Sequence, residues 1–237
     1  MPYHIETGII NNLIILVTLS VVIMSLIHFL NKKTLPSTSP SNHDLAYLKR
    51  NTPIAIIDDE DFTDLDGLRN AGYSPTHFRD LDSFDQLISF PIVICDIQGV
   101  GSKFGSTTDG SYIIQQVCEQ YPDKYTIVFS SKGSSLSMAS RIAKADVKLT
   151  RGDRDALNNS ILTAVKTMGD SVERWKRVRR HLIEEKQVSL YHVWELEQEF
   201  IKSLNSKKTK SLSEYVNKHT EDFVKGLLVN FISGLVF

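Results

Sequence analysis

Four short apolar runs in this chain each stop on a residue able to handle charge or a phosphoryl oxygen. Ile54–Ile57 stops on Asp58 and Asp59, Ile92–Cys95 on Asp96, Thr126–Phe129 on Ser130, and Ala145–Thr150 on Arg151. Longer amphipathic stretches separate the runs, and alternation of this kind predicts βα repeats around a parallel sheet. The expected strands are Ile54–Ile57, Thr76–Arg79, Ile92–Cys95, Thr126–Phe129 and Val147–Thr150. The expected helices are Asp61–Ala71, Ser83–Ser89, Gly110–Tyr121, Ser134–Lys144 and Asp153–Met168.

Five strands alternating with five helices match a flavodoxin-like, doubly wound α/β sheet, in which ligands collect beyond the carboxyl ends of the strands where strand order reverses. Asp58, Asp59 and Asp96 all fall on that edge. A carboxylate there can accept a phosphoryl group, a hard divalent ion can be held by one or two others, and a hydroxyl with a cation can steady the transferred oxygens. The plainer use of Asp58, Asp59 and Glu60 is to cap the following helix and complement its dipole.

The order and spacing of these residues, over residues 53–168, resemble the receiver domain of bacterial response regulators. The resemblance implies that Asp58 and Asp59, together with Asp96, bind Mg²⁺, with Glu60 as a possible substitute. It further implies that Asp96 accepts the phosphoryl group, that the Ser130 hydroxyl responds to it, and that Arg151 pairs with its oxygens in place of the family's lysine. Several positions depart from that pattern. Arg151 replaces a compact ammonium by a planar fork, Gly152 stands in place of proline, and Lys148 stands in place of an aromatic. The loop Gln98–Asp109 is longer than usual and lacks Met-Pro. Its Gly99, Gly101 and Gly105, with Ser102, Ser106, Thr107, Thr108 and Lys103, can be read as an anion cradle or as a mobile flap that binds nothing. The loop has no Gly-Lys-Ser/Thr ending, so a Walker-type phosphate loop is excluded.

The flanks carry different signals. No charged residue occurs from Gly8 to Leu30, a stretch long enough for the roughly 20 residues of a spanning helix. It has no basic start or small-residue end of the kind a cleaved leader carries. Lys32, Lys33, Lys49 and Arg50 follow it, so the positive-inside rule places the remainder in the cytoplasm. The expectation is a single-pass anchor in the inner membrane over 1–31, reaching the membrane through residues 8–30, and then a proline-punctuated linker over 32–52.

Past Gly169 the pattern is wholly helical to residue 237. Val172, Trp175, Val178 and Leu182 lie on one face, a break falls near Lys186, and Ser189 caps a new helix. Ser211 to Glu214 matches a capping box opening a last helix, which Val224, Leu227, Leu228, Phe231 and Ile232 make apolar. This tail is expected to serve an oligomer or a partner protein. Arg174, Lys176, Arg177, Arg179 and Arg180 form a basic cluster read as a solvated helix face. Without a helix-turn-helix pattern, and with an acidic centre inside a net charge of −1, no nucleic-acid partner is expected. Cys95 and Cys118 show neither zinc spacing nor a disulfide framework and read as buried thiols.

The leading expectation is thus a membrane-tethered, receiver-like signalling protein, not an enzyme, phosphorylated at Asp96 by a histidine kinase or phosphotransfer protein. The alternative is a phosphorylation-independent pseudo-receiver used as a scaffold. A metal-dependent phosphohydrolase is a third class, and it lacks a second acid/base pair.

Overall fold

The computed structural model describes residues 13–25, 35, 43–105, 109–130 and 136–235. The chain divides into two compact units, Met1–Thr38 and Ser39–Phe237.

In the first unit, residues 13–25 form helix α1. Its large apolar side chains, among them Leu13, Leu16, Ile23 and Met24, are exposed. The Thr18 hydroxyl donates to the carbonyls of Ile14 and Ile15, and the Ser20 hydroxyl to that of Leu16, so both are satisfied within the helix. The spanning helix expected over 8–30 is not borne out at that length. Among the described residues no helix is long and apolar enough to cross a membrane, and positions 8–12 and 26–30 lie outside the described residues.

The second unit opens with α2 (Leu45–Asn51), capped by the Asp44 carboxylate, which accepts from the Tyr47 amide. This corrects the linker reading for residues 45–51. Leu48 packs so close to Gly169 that a Cβ there would lie 2.6 Å from its methyl group.

A five-stranded parallel sheet follows, in the order β2-β1-β3-β4-β5. Its strands are β1 (Ile54–Ile57), β2 (Pro75–Phe78), β3 (Ile92–Asp96), β4 (Tyr125–Ser130) and β5 (Val147–Thr150). This is the flavodoxin-like order, with its reversal between β1 and β3. Side chains alternate across the sheet. Ala55, Ile57, Val93 and Cys95 pack with Ile113, Ile114 and Val117 of α4 (Gly110–Gln120). Ile54, Ile56, Ile92 and Ile94 pack with Leu68 of α3 (Leu65–Asn70) and with Ile161, Ala164 and Val165 of α6 (Arg154–Met168).

Three expected helices are shorter than the sequence pattern suggests: α3 begins at Leu65 instead of Asp61. Residues 84–87 form only a 3-10 turn, closed by a capping box between Ser83 and Gln86. Helix α5 is described over Leu136–Arg141. Burial raises the Cys95 and Cys118 thiols above their ordinary range, as structural cysteines require.

The tail forms α7 (Ser171–Glu184), α8 (Leu190–Ser206), α9 (Lys210–His219) and α10 (Asp222–Ser233). The expected break and the Ser189 cap are present. The capping box is not: Ser211 lies inside α9, which begins after Thr209, and its hydroxyl donates to Glu199. Trp175 stacks on Phe200 at 5.0 Å and meets Phe231 at 5.8 Å, so the expected apolar faces pack on one another.

The basic cluster is a solvated face only in part: Lys176, Arg179 and Arg180 are exposed, whereas Arg174 and Arg177 turn inward. Arg174 is 4 % exposed. It donates from Nε and Nη2 to Asp123 and from Nη1 to the Gly234 carbonyl at 2.7 Å. Arg177 forks onto Asp146, with both contacts at 2.8 Å, and reaches the carbonyls of Pro122 and Lys124. Lys124 spans the carbonyls of Ile88 and Phe90, and burial brings its ammonium down to about 8 despite Asp123 beside it. These contacts fasten α7 to the α4–β4 connection and, through Asp146, to the residue before β5, at the sheet edge opposite the carboxyl ends of the strands.

Candidate phosphoacceptor site

The site follows from the register of the central strands. Because Ile57 pairs with Cys95 across β1 and β3, Asp58 and Asp96 leave the sheet side by side at the reversal point. Ser130 ends β4 and pairs with Thr150 of β5, so Ser130 and Arg151 also stand at this edge. The Ser130 side chain and residues 131–135 lie outside the described set.

Asp58 and Asp96 are buried, whereas Asp59 is exposed. One oxygen of each of the three lies within 4.8 Å of the others. Asp58 Oδ1 accepts the Glu60 amide at 3.1 Å, and the Asp58 carbonyl meets His77 Nε2 at 2.8 Å. Asp96 Oδ1 accepts the Gln98 amide at 3.3 Å. Burial pushes the Asp96 carboxyl above its ordinary value. The Gln98 amide and Arg151 oppose that shift, and the neighbouring Asp58 adds to it.

Arg151 enters from the end of β5. Its Nη2 donates to both Asp58 oxygens, each at 2.9 Å, and to Asp96 Oδ2 at 2.6 Å. Its Nη1 donates to Glu60 Oε2 at 2.6 Å, and its guanidinium lies 5.1 Å from the Phe129 ring centre. The expected cluster of Asp58, Asp59, Asp96 and Arg151 is therefore brought together, but Arg151 is placed on the carboxylates themselves. Glu60, weighed as a substitute metal ligand, serves as the arginine's second anchor.

Two glycines make room for the site. A Cβ on Gly110 would lie 1.8 Å from the Asp96 carbonyl oxygen, and one on Gly99, whose φ is +76°, would lie 2.1 Å from the Asp59 carboxyl. Gly110→Ala therefore forces β3 and α4 apart below Asp96. We expect a loss of about 1–3 kcal/mol in urea melts.

The anion-cradle reading of the Gln98–Asp109 loop is opposed by its contacts. Asp80, which follows β2, accepts the Gly101 amide at 2.7 Å and the Ser102 hydroxyl at 2.9 Å. Lys103, the proposed anion partner, pairs with Asp82. Burial alone would raise Asp80, but the amides of Gly101 and Leu81 and the Ser102 hydroxyl outweigh it and hold the carboxyl below its ordinary value. Gly101, Ser102 and Lys103 thus serve two carboxylates of the same chain, Asp80 and Asp82. No local sequence signal marks this pairing, since its partners lie about twenty residues apart. Residues 106–108 lie outside the described set. Lys148 is exposed and donates to the Ala143 carbonyl at 3.3 Å.

The donor set fits a hard divalent cation: two buried carboxylates and one exposed, all oxygen, beside a cleft of about 260 Å³ lined in part by Phe62, Phe129 and Leu157.

No protein-family model matches the sequence, and no curated protein is similar to it. Among solved structures the chain is similar to a CheY-like response regulator receiver domain protein from Methanospirillum hungatei JF-1. The identity is 19 %, over 49 % of this chain and 95 % of that one, with a TM-score of 0.40. It is also similar to the signal receiver domain of an HD domain-containing protein from Pseudomonas fluorescens Pf-5, with 18 % identity over 50 % and 98 % of the two chains and a TM-score of 0.41. A response regulator protein from Burkholderia pseudomallei, solved with a phosphorylated aspartic acid, calcium ion and citrate, matches at 20 % identity over 76 % and 97 %, with a TM-score of 0.38. At such identities and TM-scores the side chains of the site, not the likeness, carry the functional reading.

Proposed function

We propose that this chain is a receiver-like signalling protein in which Asp96 accepts a phosphoryl group. The observation that carries the proposal is the meeting of Asp58, Asp59 and Asp96 at the point of strand reversal, with Arg151 reaching in from β5. An Asp96 oxygen forms the new bond to phosphorus, and the bond between phosphorus and the donor's leaving group breaks. Asp58 and Asp59, with Asp96, would hold Mg²⁺, which when bound supplies charge neutralisation for the approaching phosphoryl oxygens. Arg151 and the Ser130 hydroxyl would then orient those oxygens. The donor in a cell would be a histidine kinase or phosphotransfer protein.

To test this, the full chain is incubated with Mg²⁺ and a small acyl phosphate and followed by intact mass. The expected result is the gain of one phosphoryl group, removed by hydroxylamine and prevented by chelating the metal. No gain over hours would overturn the proposal.

A second reading, the phosphorylation-independent scaffold, is favoured by one observation: Arg151 already pairs with both Asp58 and Asp96. Under that reading Asp96→Ala leaves association with partners unchanged.

Attachment to the inner membrane through residues 8–30 is part of the proposal and rests on the uncharged, apolar stretch of the sequence there. The chain is expected to sediment with membranes and resist alkaline extraction. Recovery in the soluble fraction would remove this part.

A further inference from the structure

The geometry points to Arg151 as a built-in cation that competes with a divalent ion for Asp58 and Asp96, so that loading the site requires the arginine to let go. This deepens the phosphoacceptor reading and rests on it.

Four observations support the inference. First, one atom, Nη2, lies 2.6–2.9 Å from three oxygens of the two buried acids. An ion bridging the same carboxylates needs the same lone pairs and the same space, and a guanidinium and a divalent cation repel each other at that range. Second, the resting pose is not fully satisfied among the described residues: Arg151 Nε is buried with no hydrogen-bond partner among them, and a turn of the side chain toward solvent would hydrate it. Third, the arm has a second hold. Nη1 binds Glu60, whose side chain is 70 % exposed, and Glu60, Asp61, Asp64 and Asp153 line the adjoining cleft of about 260 Å³. Arg154 also lines that cleft, paired with Asp64, and Asp61 is paired with Arg79, so a displaced guanidinium would keep Glu60 as its own partner there. Fourth, the backbone next to the arm is uncluttered. Gly152 adopts φ +101°, and nothing lies within 4 Å of where its Cβ would stand.

A compact ammonium at this position has a single nitrogen, so it could sit on the Asp58 and Asp96 oxygens as Nη2 does but could not reach Glu60 at the same time. The fork of arginine spans Asp58, Asp96 and Glu60 together and is the stronger competitor. Once released, the same guanidinium is free to meet a phosphoryl group on Asp96. Cation binding would thereby arm the site instead of merely filling it.

The test is Mn²⁺ binding to the full chain in mild detergent, read from the electron paramagnetic resonance signal of the free ion. Arg151→Gln is expected to bind Mn²⁺ about tenfold or more tighter than the wild type, with Arg151→Lys in between. Asp58→Asn should weaken binding about tenfold in either background. Arg151→Lys keeps a charge beside the acids and stays informative if Arg151→Gln fails to fold. Equal affinity, within about twofold, for wild type and both Arg151 variants, with Asp58 still required, would overturn the competition while leaving the phosphoacceptor reading intact. No Asp58-dependent binding in any variant would overturn both.

Discussion

Replacing Arg174 by methionine is expected to cost the fold about 3–5 kcal/mol, because it leaves the Asp123 carboxylate charged, buried and without its partner. Asp123 is 1 % exposed and Arg174 4 %, so water cannot take over from either. The same guanidinium also satisfies the Gly234 carbonyl at the end of α10 and lies 5.9 Å from the Phe231 ring centre. Its loss thus loosens the tail and the five-stranded sheet together. For a unit of this size the melting temperature should fall by roughly 10 °C. Asp123→Leu combined with Arg174→Met should recover most of that, since a buried ion pair contributes little beyond an apolar pair of similar volume. A loss in the double variant equal to the sum of the single losses would contradict the assignment.

The pH dependence of this pair has a definite sign. Burial alone would raise the Asp123 carboxyl, but Arg174, and then Lys124, hold it below the ordinary carboxylate range. A depressed carboxylate contributes stability that is fully present above its unfolded pKa of about 3.9 and is lost as pH falls through the folded value. Urea melts of the wild type should therefore weaken steeply below about pH 4. The Asp123→Asn variant, less stable at neutral pH, should lack that component.

The second large effect is expected at Asp96. Asp96→Asn keeps the shape of the side chain and one of its oxygens, so the sheet and its strand order should be unchanged by circular dichroism. Phosphoryl uptake should nonetheless fall below detection, because an amide is no nucleophile toward phosphorus at neutral pH. Asp58→Asn should also suppress uptake while leaving Asp96 in place, since it removes half of the buried carboxylate pair that a divalent cation would need. If Asp96→Asn were phosphorylated as fast as the wild type, the acceptor would lie elsewhere.

What was legible in the sequence and what was not divide along physical lines. Strands β1, β3 and β4 were readable because a strand covered on both faces must be a short continuous apolar run. Their ends placed Asp58, Asp96 and Ser130 at one edge without knowledge of any contact. The break before α8 was readable because Ser189 is a local cap. Features that rest on distant pairing were not readable. Asp80 holding Gly101 and Ser102, and Asp82 holding Lys103, engage described donors of a glycine-rich loop that the sequence offers as a candidate anion cradle. Arg174 and Arg177 look like a solvated basic face until Asp123 and Asp146 are seen opposite them. The Ser211 match failed because Thr209 already starts α9 after Lys207 turns through a left-handed conformation. At the site itself, the sequence identified the cation but not its resting place. Only the structure sets Arg151 on Asp58 and Asp96 together.

The central claim is that Asp96 is a phosphoryl acceptor at a carboxylate cluster guarded by Arg151. It is tested most directly by treating the full chain with Mg²⁺ and a small acyl phosphate, reducing the product with borohydride, and mapping the peptides by mass spectrometry. The account predicts reduction of the Asp96 side chain to homoserine, at that residue alone and only when Mg²⁺ is present. An unmodified Asp96 peptide, or labelling that persists in Asp96→Asn, would contradict it.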